Sequence, residues 1–201
     1  MSGPAWPRVA ALGLLAFLCI LVVSSVGIGR MTVIDRDEAR FAQASKQMAE
    51  TGDYIDIRLQ DEPRYQKPVG IYWLHNAATH ALGVPASNEI WHYRIVSVLA
   101  AALSVLALAW AGAPLVGAGP ALLAGVLLAS TVVLQIEARI AKTDAALLLT
   151  IILAMGALAR AALGQVRGWA APAVFWAALG AGVLIKGPLI LGPVLGAALW
   201  V

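Results

Sequence analysis

The 201-residue chain is 61% hydrophobic and only 12% charged, and its mean hydropathy of +0.82 excludes an ordinary water-soluble domain. The net charge of +3 is small, no nucleic-acid partner is expected, and one cysteine, Cys19, excludes an intramolecular disulfide. The fold class this points to is an all-α polytopic membrane protein, in which 17 of the 25 charged side chains fall between Arg30 and Arg94.

The first apolar run, about 9–28, reads as a membrane span. Arg8 ahead of it also fits a secretory signal, but the run is long for a signal's apolar core and lacks a clear Ala-x-Ala cleavage site. A long polar loop, 29–94, follows and opens with "VIDRDEARF". Asp35 is placed to cap a helix whose first turn holds Asp37 and Glu38, favourable against the helix dipole, and Gly52 ends it. Phe41, Ala44, Ser45 and Met48 follow helical spacing opposite a charged face, which predicts a helix lying flat on the membrane surface. The stretch "TGDYIDIRLQDEPRYQ" then reads as a turn, an extended piece around Tyr54 to Leu59, and another turn.

Pro68 starts a second amphipathic helix that runs to Gly83, with Tyr72 and Trp73 at interfacial depth. Lys67 immediately precedes it, so its ammonium and the free N–H groups of the first turn converge on a point suited to a phosphate. The same position also suits a snorkelling interfacial lysine. Arg40, three residues from Asp37 on one helix face, reads either as a second cation or as an exposed partner of that carboxylate. Asp37 in turn could simply favour the dipole. His75 and His80 are five residues apart and, with His92, make no metal set.

Apolar runs at about 95–113, 120–136, 145–163, 170–185 and 187–201 complete five or six expected spans, with Trp6, Trp91, Trp110 and Trp169 near their ends and Arg160 placed to snorkel outward. In "EARIAKTDAA", Glu137, Arg139, Lys142 and Asp144 stand at a span boundary, where charges are paired or functional. Arg139 and Asp144 read as the outer wall of a cavity or as ion pairs that fix helix ends. Lys186 is expected to line a cavity, because Gly187-Pro188 breaks the helix and frees carbonyls that need water. The last run stops at Val201 without a polar flank, so the chain is expected to be the N-terminal part of a longer protein. Positive charges nearly tie across the membrane. With the N-terminus inside, parity places the clusters 35–67, 137–144 and 186 on one outer face.

Three runs in order carry a resemblance to a known family. "DRDEARFAQASKQMAETGDYIDIRLQDEPRYQKPVGIYWL" resembles the first extracytoplasmic loop of GT-C glycosyltransferases, in the group containing the lipid A aminoarabinose transferases and the protein O-mannosyltransferases. "EARIAKTDAALLL" and "LIKGPLI" resemble two further signatures, and the likeness covers about residues 30–193. It implies GT-C transmembrane helices whose long first extracytoplasmic loop carries two amphipathic juxtamembrane helices. The implied enzyme is a multi-pass protein of a bacterial-type inner membrane, working on the extracytoplasmic face. It would transfer a sugar, with inversion, from a polyprenyl-phosphate donor to a lipid, protein or other glycan acceptor.

Carried over residue by residue, Asp37 would be the catalytic carboxylate, with Glu38, its partner in the motif, orienting the loop. Lys67 and Arg40 would contact the donor phosphate, and Arg139, Asp144 and Lys186 would belong to the cavity. No metal ligand is assigned, although the resemblance admits a divalent metal. Where many relatives have Glu-Lys-Pro-Pro, this chain has Gln66-Lys67-Pro68-Val69, which removes a carboxylate that such a cation would use. Two rivals stand beside this reading, a transporter or flippase subunit and a non-catalytic scaffold. Charge gathered at span boundaries rather than at midplane, and the retained Asp37 and Lys67, favour the enzyme.

Overall fold

The structure, a computed structural model, describes residues 6–200, with the side chains of residues 9–199. The side chains of Trp6 and Arg8, on which an interfacial role and a positive flank were expected, and the end at Val201 lie outside what is described. The described chain runs α1 (Trp6–Ser25), α2 (Arg36–Thr51), a hairpin of β1 (Arg58–Leu59) and β2 (Glu62–Pro63), α3 (Gly70–Ala81), α4 (Trp91–Val116), α5 (Ala118–Ser130), α6 (Val132–Glu137), α7 (Asp144–Ala162), α8 (Ala170–Lys186), a 3-10 turn (Gly187–Ile190) and α9 (Leu191–Trp200). By length and composition, Trp91–Val116, Asp144–Ala162 and the segment Ala170–Leu199 can cross a membrane, and Val9–Ser25 and Ala118–Ser130 are shorter apolar helices.

Three boundaries differ from the apolar runs, each for a local reason. Helix α4 starts at Trp91 rather than near 95, because His92, Tyr93 and Arg94 are buried against the polar loop instead of being solvated. The run 120–136 divides at Thr131, which is extended and whose hydroxyl accepts from Leu134 N–H to cap α6. Gln135 Nε2 donates to the Ala129 carbonyl at 2.7 Å, satisfying a group the break would otherwise orphan. Runs 170–185 and 187–201 form one apolar segment bent at Gly187, whose φ of +75° ends α8.

Helix α4 is the hub and packs against α1, α5 and α7. Its inner face is small, with Ala100, Ala101, Ala102, Ser104, Ala107 and Ala111 buried, and close backbone approach of this kind is how helices associate in lipid. A Cβ on Gly125 of α5 would stand 2.7 Å from the Val105 carbonyl, so glycine is what lets α5 close on α4. Arg160, in the last turn of α7 and partly exposed, lies 3.9 Å from the Trp110 ring centroid and donates to the Trp110 and Gly156 carbonyls.

The loop forms a second small core. Helix α2 is capped as its sequence predicts, with Asp35 accepting from Asp37 N–H at 2.7 Å and Gly52 left-handed at its end. The stripe Phe41, Ala44, Ser45 and Met48 does not face lipid, however, because α3 returns across it and the stripe packs on Ile57, Ile71, Tyr72 and Val96. Tyr72, expected at interfacial depth, is fully buried there. The second helix begins at Gly70, two residues after Pro68, and the extended piece narrows to the hairpin, with Arg58 opposite Pro63 and Leu59 opposite Glu62. Inside this core the Ser45 hydroxyl donates to the Phe41 carbonyl and lies 3.1 Å from His75 Nδ1, and His75 Nε2 has no partner among the described residues. Burial pushes the His75 pKa down to about 3, and the ring is neutral.

Candidate functional site

Asp37 occupies the first turn of α2 with its carboxylate half exposed, and Arg40 Nη1 reaches it at 3.5 Å. Both of the alternatives open for Arg40 concern one charge, and in this structure that charge is turned to Asp37. Glu38, the next residue, is entirely buried. Arg94 Nε donates to Glu38 Oε1 at 2.7 Å and Nη2 to Oε2 at 3.0 Å, and Ala141 N–H donates to Oε1 at 2.9 Å. The same guanidinium also donates to the carbonyls of Ile28, Met31 and, at 3.4 Å, Thr32. One bidentate pair thus ties the connection after α1, the start of α2, the head of α4 and the loop before α7 into one unit. Both Glu38 oxygens are taken up by Arg94 and the Ala141 N–H, an arrangement that suits the loop-orienting role expected of it rather than contact with a substrate.

The polar clusters that parity placed on one face do come together. Lys142 Nζ lies 3.0 Å from Asp35, the residue that caps α2. The Lys142 ammonium beside it holds the Asp35 carboxyl below the usual carboxylate range. Burial alone would pull the Lys142 pKa down, but the bond to Asp35 and the carboxylates of Glu137 and Asp144 outweigh it and raise it. Asp144 opens α7, where the dipole favours an acid, and pairs with Lys186 at the end of α8, where it favours a base. Glu137 lies among these groups and keeps a buried Oε2 without a partner among the described residues. Arg139 stands apart from the cluster. It donates to the Gln135 carbonyl and, at 2.7 Å, to the Val23 carbonyl of α1, and makes no ion pair among the described residues.

Lys67 and Lys186 meet at a cavity of about 440 Å³ lined also by Ile57, Tyr65, Gln66, Pro68, Gly187 and Pro188. What brings them together is Gly70, where a Cβ would stand 2.6 Å from the Leu184 carbonyl, so α3 can press directly on the backbone of α8. Lys186 is neutralised by Asp144, whereas Lys67 makes no salt bridge among the described residues. Below this cavity, a larger apolar groove of about 630 Å³ runs between α3, α4, α7 and α8. No group of three His, Cys, Asp or Glu converges to hold a metal among the described residues, and Gln66 offers an amide where a carboxylate would serve. The residues present do not fit a resident divalent metal.

Two site residues escaped the sequence: Arg94 and Arg64. Arg94 directly abuts an apolar run, and a charge in that place is itself a signal, because it must be paired or used. Arg64 sits in an unremarkable turn, and only its burial singles it out.

A profile of the dolichyl-phosphate-mannose-protein mannosyltransferase family matches residues 9–201. The undecaprenyl phosphate-alpha-4-amino-4-deoxy-L-arabinose arabinosyl transferase of Enterobacter sp. (strain 638) is 30% identical over 172 residues, covering 82% of this chain and 30% of that protein. The protein of the same name from Pectobacterium carotovorum subsp. carotovorum (strain PC1) is 38% identical over 74 residues, 37% of this chain and 13% of its own. Among solved structures, ArnT from Cupriavidus metallidurans in the apo state superposes with a TM-score of 0.80 at 24% identity, covering 95% of this chain and 36% of that one. Its form bound to undecaprenyl phosphate gives 0.76 at 23%, covering 89% and 33%. The chain thus spans about a third of the length of these structures, and the likeness shows that it has their membrane-helix fold. With the family profile matched along nearly its whole length, this chain belongs to the dolichyl-phosphate-mannose-protein mannosyltransferase family.

Proposed function

We propose that this chain is the part of an integral-membrane glycosyltransferase that carries the catalytic loop, and that the whole enzyme moves a sugar from a polyprenyl-phosphate donor to an acceptor on the extracytoplasmic face of a bacterial-type inner membrane. The observation that carries this is the exposed Asp37 held rigidly beside a buried Glu38–Arg94 pair, in the same cluster that leads through Asp35, Lys142 and Asp144 to the two-lysine cavity. The donor phosphate is anionic and must leave with the electron pair of the anomeric bond. Lys67 meets it, with Lys186 and the start of α3 at the same cavity. The acceptor oxygen attacks the anomeric carbon from the opposite side, its proton passes to the Asp37 carboxylate, and the configuration inverts. Arg40 steadies Asp37 and reaches toward the phosphate. The apolar groove beneath supplies a surface fit for isoprenoid. A transporter would need its ionisable groups inside the spans, and here they gather at helix ends.

The names of the relatives point to two donors to try first, an aminoarabinose on undecaprenyl phosphate and a mannose on dolichyl phosphate. The test is transfer of radiolabelled sugar from these donors by the full-length gene product in membranes, comparing wild type with Asp37→Asn at matched protein level. Asp37→Asn is expected to lower transfer about a hundredfold or more, as loss of a general base does. Undiminished transfer removes Asp37 from the mechanism, and a wild type inactive with every donor moves the function to the transporter or scaffold class.

A further inference from the structure

Arg64 follows β2 and is only 6% exposed. Its Nε donates to the Tyr72 hydroxyl at 3.2 Å, its Nη1 reaches Gln66 Oε1 at a long 3.4 Å, and the guanidinium lies 5.5 Å from the Phe41 ring centroid. Among the described residues Nη2 donates to nothing, and no Asp or Glu oxygen lies within ion-pair distance of any of its nitrogens. Arg94 is buried to the same degree but carries a full complement of acceptors, a carboxylate among them. A buried cation without an anion is costly. Tyrosine and glutamine dipoles orient this charge without neutralising it.

Its position says what would neutralise it. Gln66, the acceptor of its long bond two residues on, lines the two-lysine cavity that Arg64 stands behind, and Lys67 is the next residue. Arg64 and Lys67 are therefore two unneutralised cations in one turn, on either side of an amide. An acid at position 66 would close the charge of Arg64 internally, and Gln66 leaves it open. The guanidinium also rests on Phe41, one turn along α2 from Asp37, and both Arg64 and Asp37 act electrostatically on the Tyr72 hydroxyl.

We propose that Arg64 is a second anion-binding residue of this site, receiving with Lys67 the phosphodiester of the polyprenyl-linked donor. This rests on the glycosyltransferase function proposed above and deepens it. In the bound state the guanidinium forks to phosphate oxygens, which completes the donor set of Nη1 and Nη2 and supplies positive charge as the phosphate departs.

The test uses the full-length protein in lipid nanodiscs with undecaprenyl phosphate as the probe, and KM for donor and acceptor measured separately. Arg64→Gln is expected to weaken undecaprenyl phosphate binding about tenfold or more, the scale of one charge-assisted hydrogen bond, and Arg64→Lys to recover most of it. Gln66→Glu keeps every packing contact of Arg64 and hands it an internal anion. It is expected to weaken binding severalfold while the thermal midpoint holds or rises, and it decides the matter if Arg64→Gln does not fold. Lys67→Ala is the reference for a lost phosphate contact. If Lys67→Ala weakens binding while Arg64→Gln and Gln66→Glu stay within about twofold of wild type, Arg64 only pins the hairpin to α2 and α3 and the proposal falls. A change confined to the acceptor KM overturns the assignment to the donor. A wild type that does not bind undecaprenyl phosphate overturns the glycosyltransferase function itself, and the proposal with it.

Discussion

Glu38 and Arg94 are both shut off from solvent, and every nitrogen and oxygen of the pair has a partner. Removing one member strands the other's charge, which typically costs about 3–5 kcal/mol, far more than the pair's net contribution over an apolar replacement. Arg94→Met is therefore expected to destabilise the purified full-length protein by about that amount in thermal unfolding. Arg94→Lys should rescue little, because one ammonium cannot fork to two carboxylate oxygens while also serving the Ile28 and Met31 carbonyls. A melting temperature unchanged by either substitution would show that the pair is not what anchors Asp37. The place of Asp37 in the first turn of α2 was legible because an acid behind an N-cap obeys local rules. Arg94 was not, since its partner lies 56 positions away and only folding makes them neighbours.

Among elements, the contact of α3 with α8 decides the cavity. Gly70→Ala puts a Cβ against the Leu184 backbone, which cannot rotate aside, so the helices must part. Overpacking of this kind costs about 1–3 kcal/mol. Because the shift moves Lys67 away from Lys186, the donor KM should rise along with the loss of stability. Gly52→Ala is the control: the left-handed cap lies in open space and strains only the alanine that replaces it, so about 1 kcal/mol of stability is lost and the donor KM stays put. Equal KM values for the two variants would remove the α3–α8 contact from donor binding. Helix α2 was readable to its caps because Asp35, Asp37, Glu38 and Gly52 each act within one turn. The destination of its apolar stripe was not, because hydrophobic spacing is the same whether lipid or α3 covers it.

At the scale of the molecule, the site is proposed to face outward, and that is open to a direct measurement. In a full-length background cleared of cysteine, Cys19→Ser included, Glu62→Cys in the hairpin and Arg167→Cys between α7 and α8 introduce a thiol at positions exposed in the structure. A membrane-impermeant maleimide should label Glu62→Cys in intact cells and Arg167→Cys only after permeabilisation. The reverse pattern would turn the site to the cytoplasm and end the proposed reaction. What the sequence determined by itself was whatever depends on composition and short spacing: the membrane class from 61% hydrophobic residues, the helix α2 with both its caps, and the charged boundaries at 137–144 and 186. Tertiary structure alone decided which charges meet. Lys142 pairs with Asp35, Lys186 with Asp144 and Arg94 with Glu38, while Lys67 and Arg64 are left without an anion among the described residues. The reason is physical: a dipole or a cap acts over one turn, whereas the balance of charge in a buried site depends on groups that only the packed helices bring within a few ångströms.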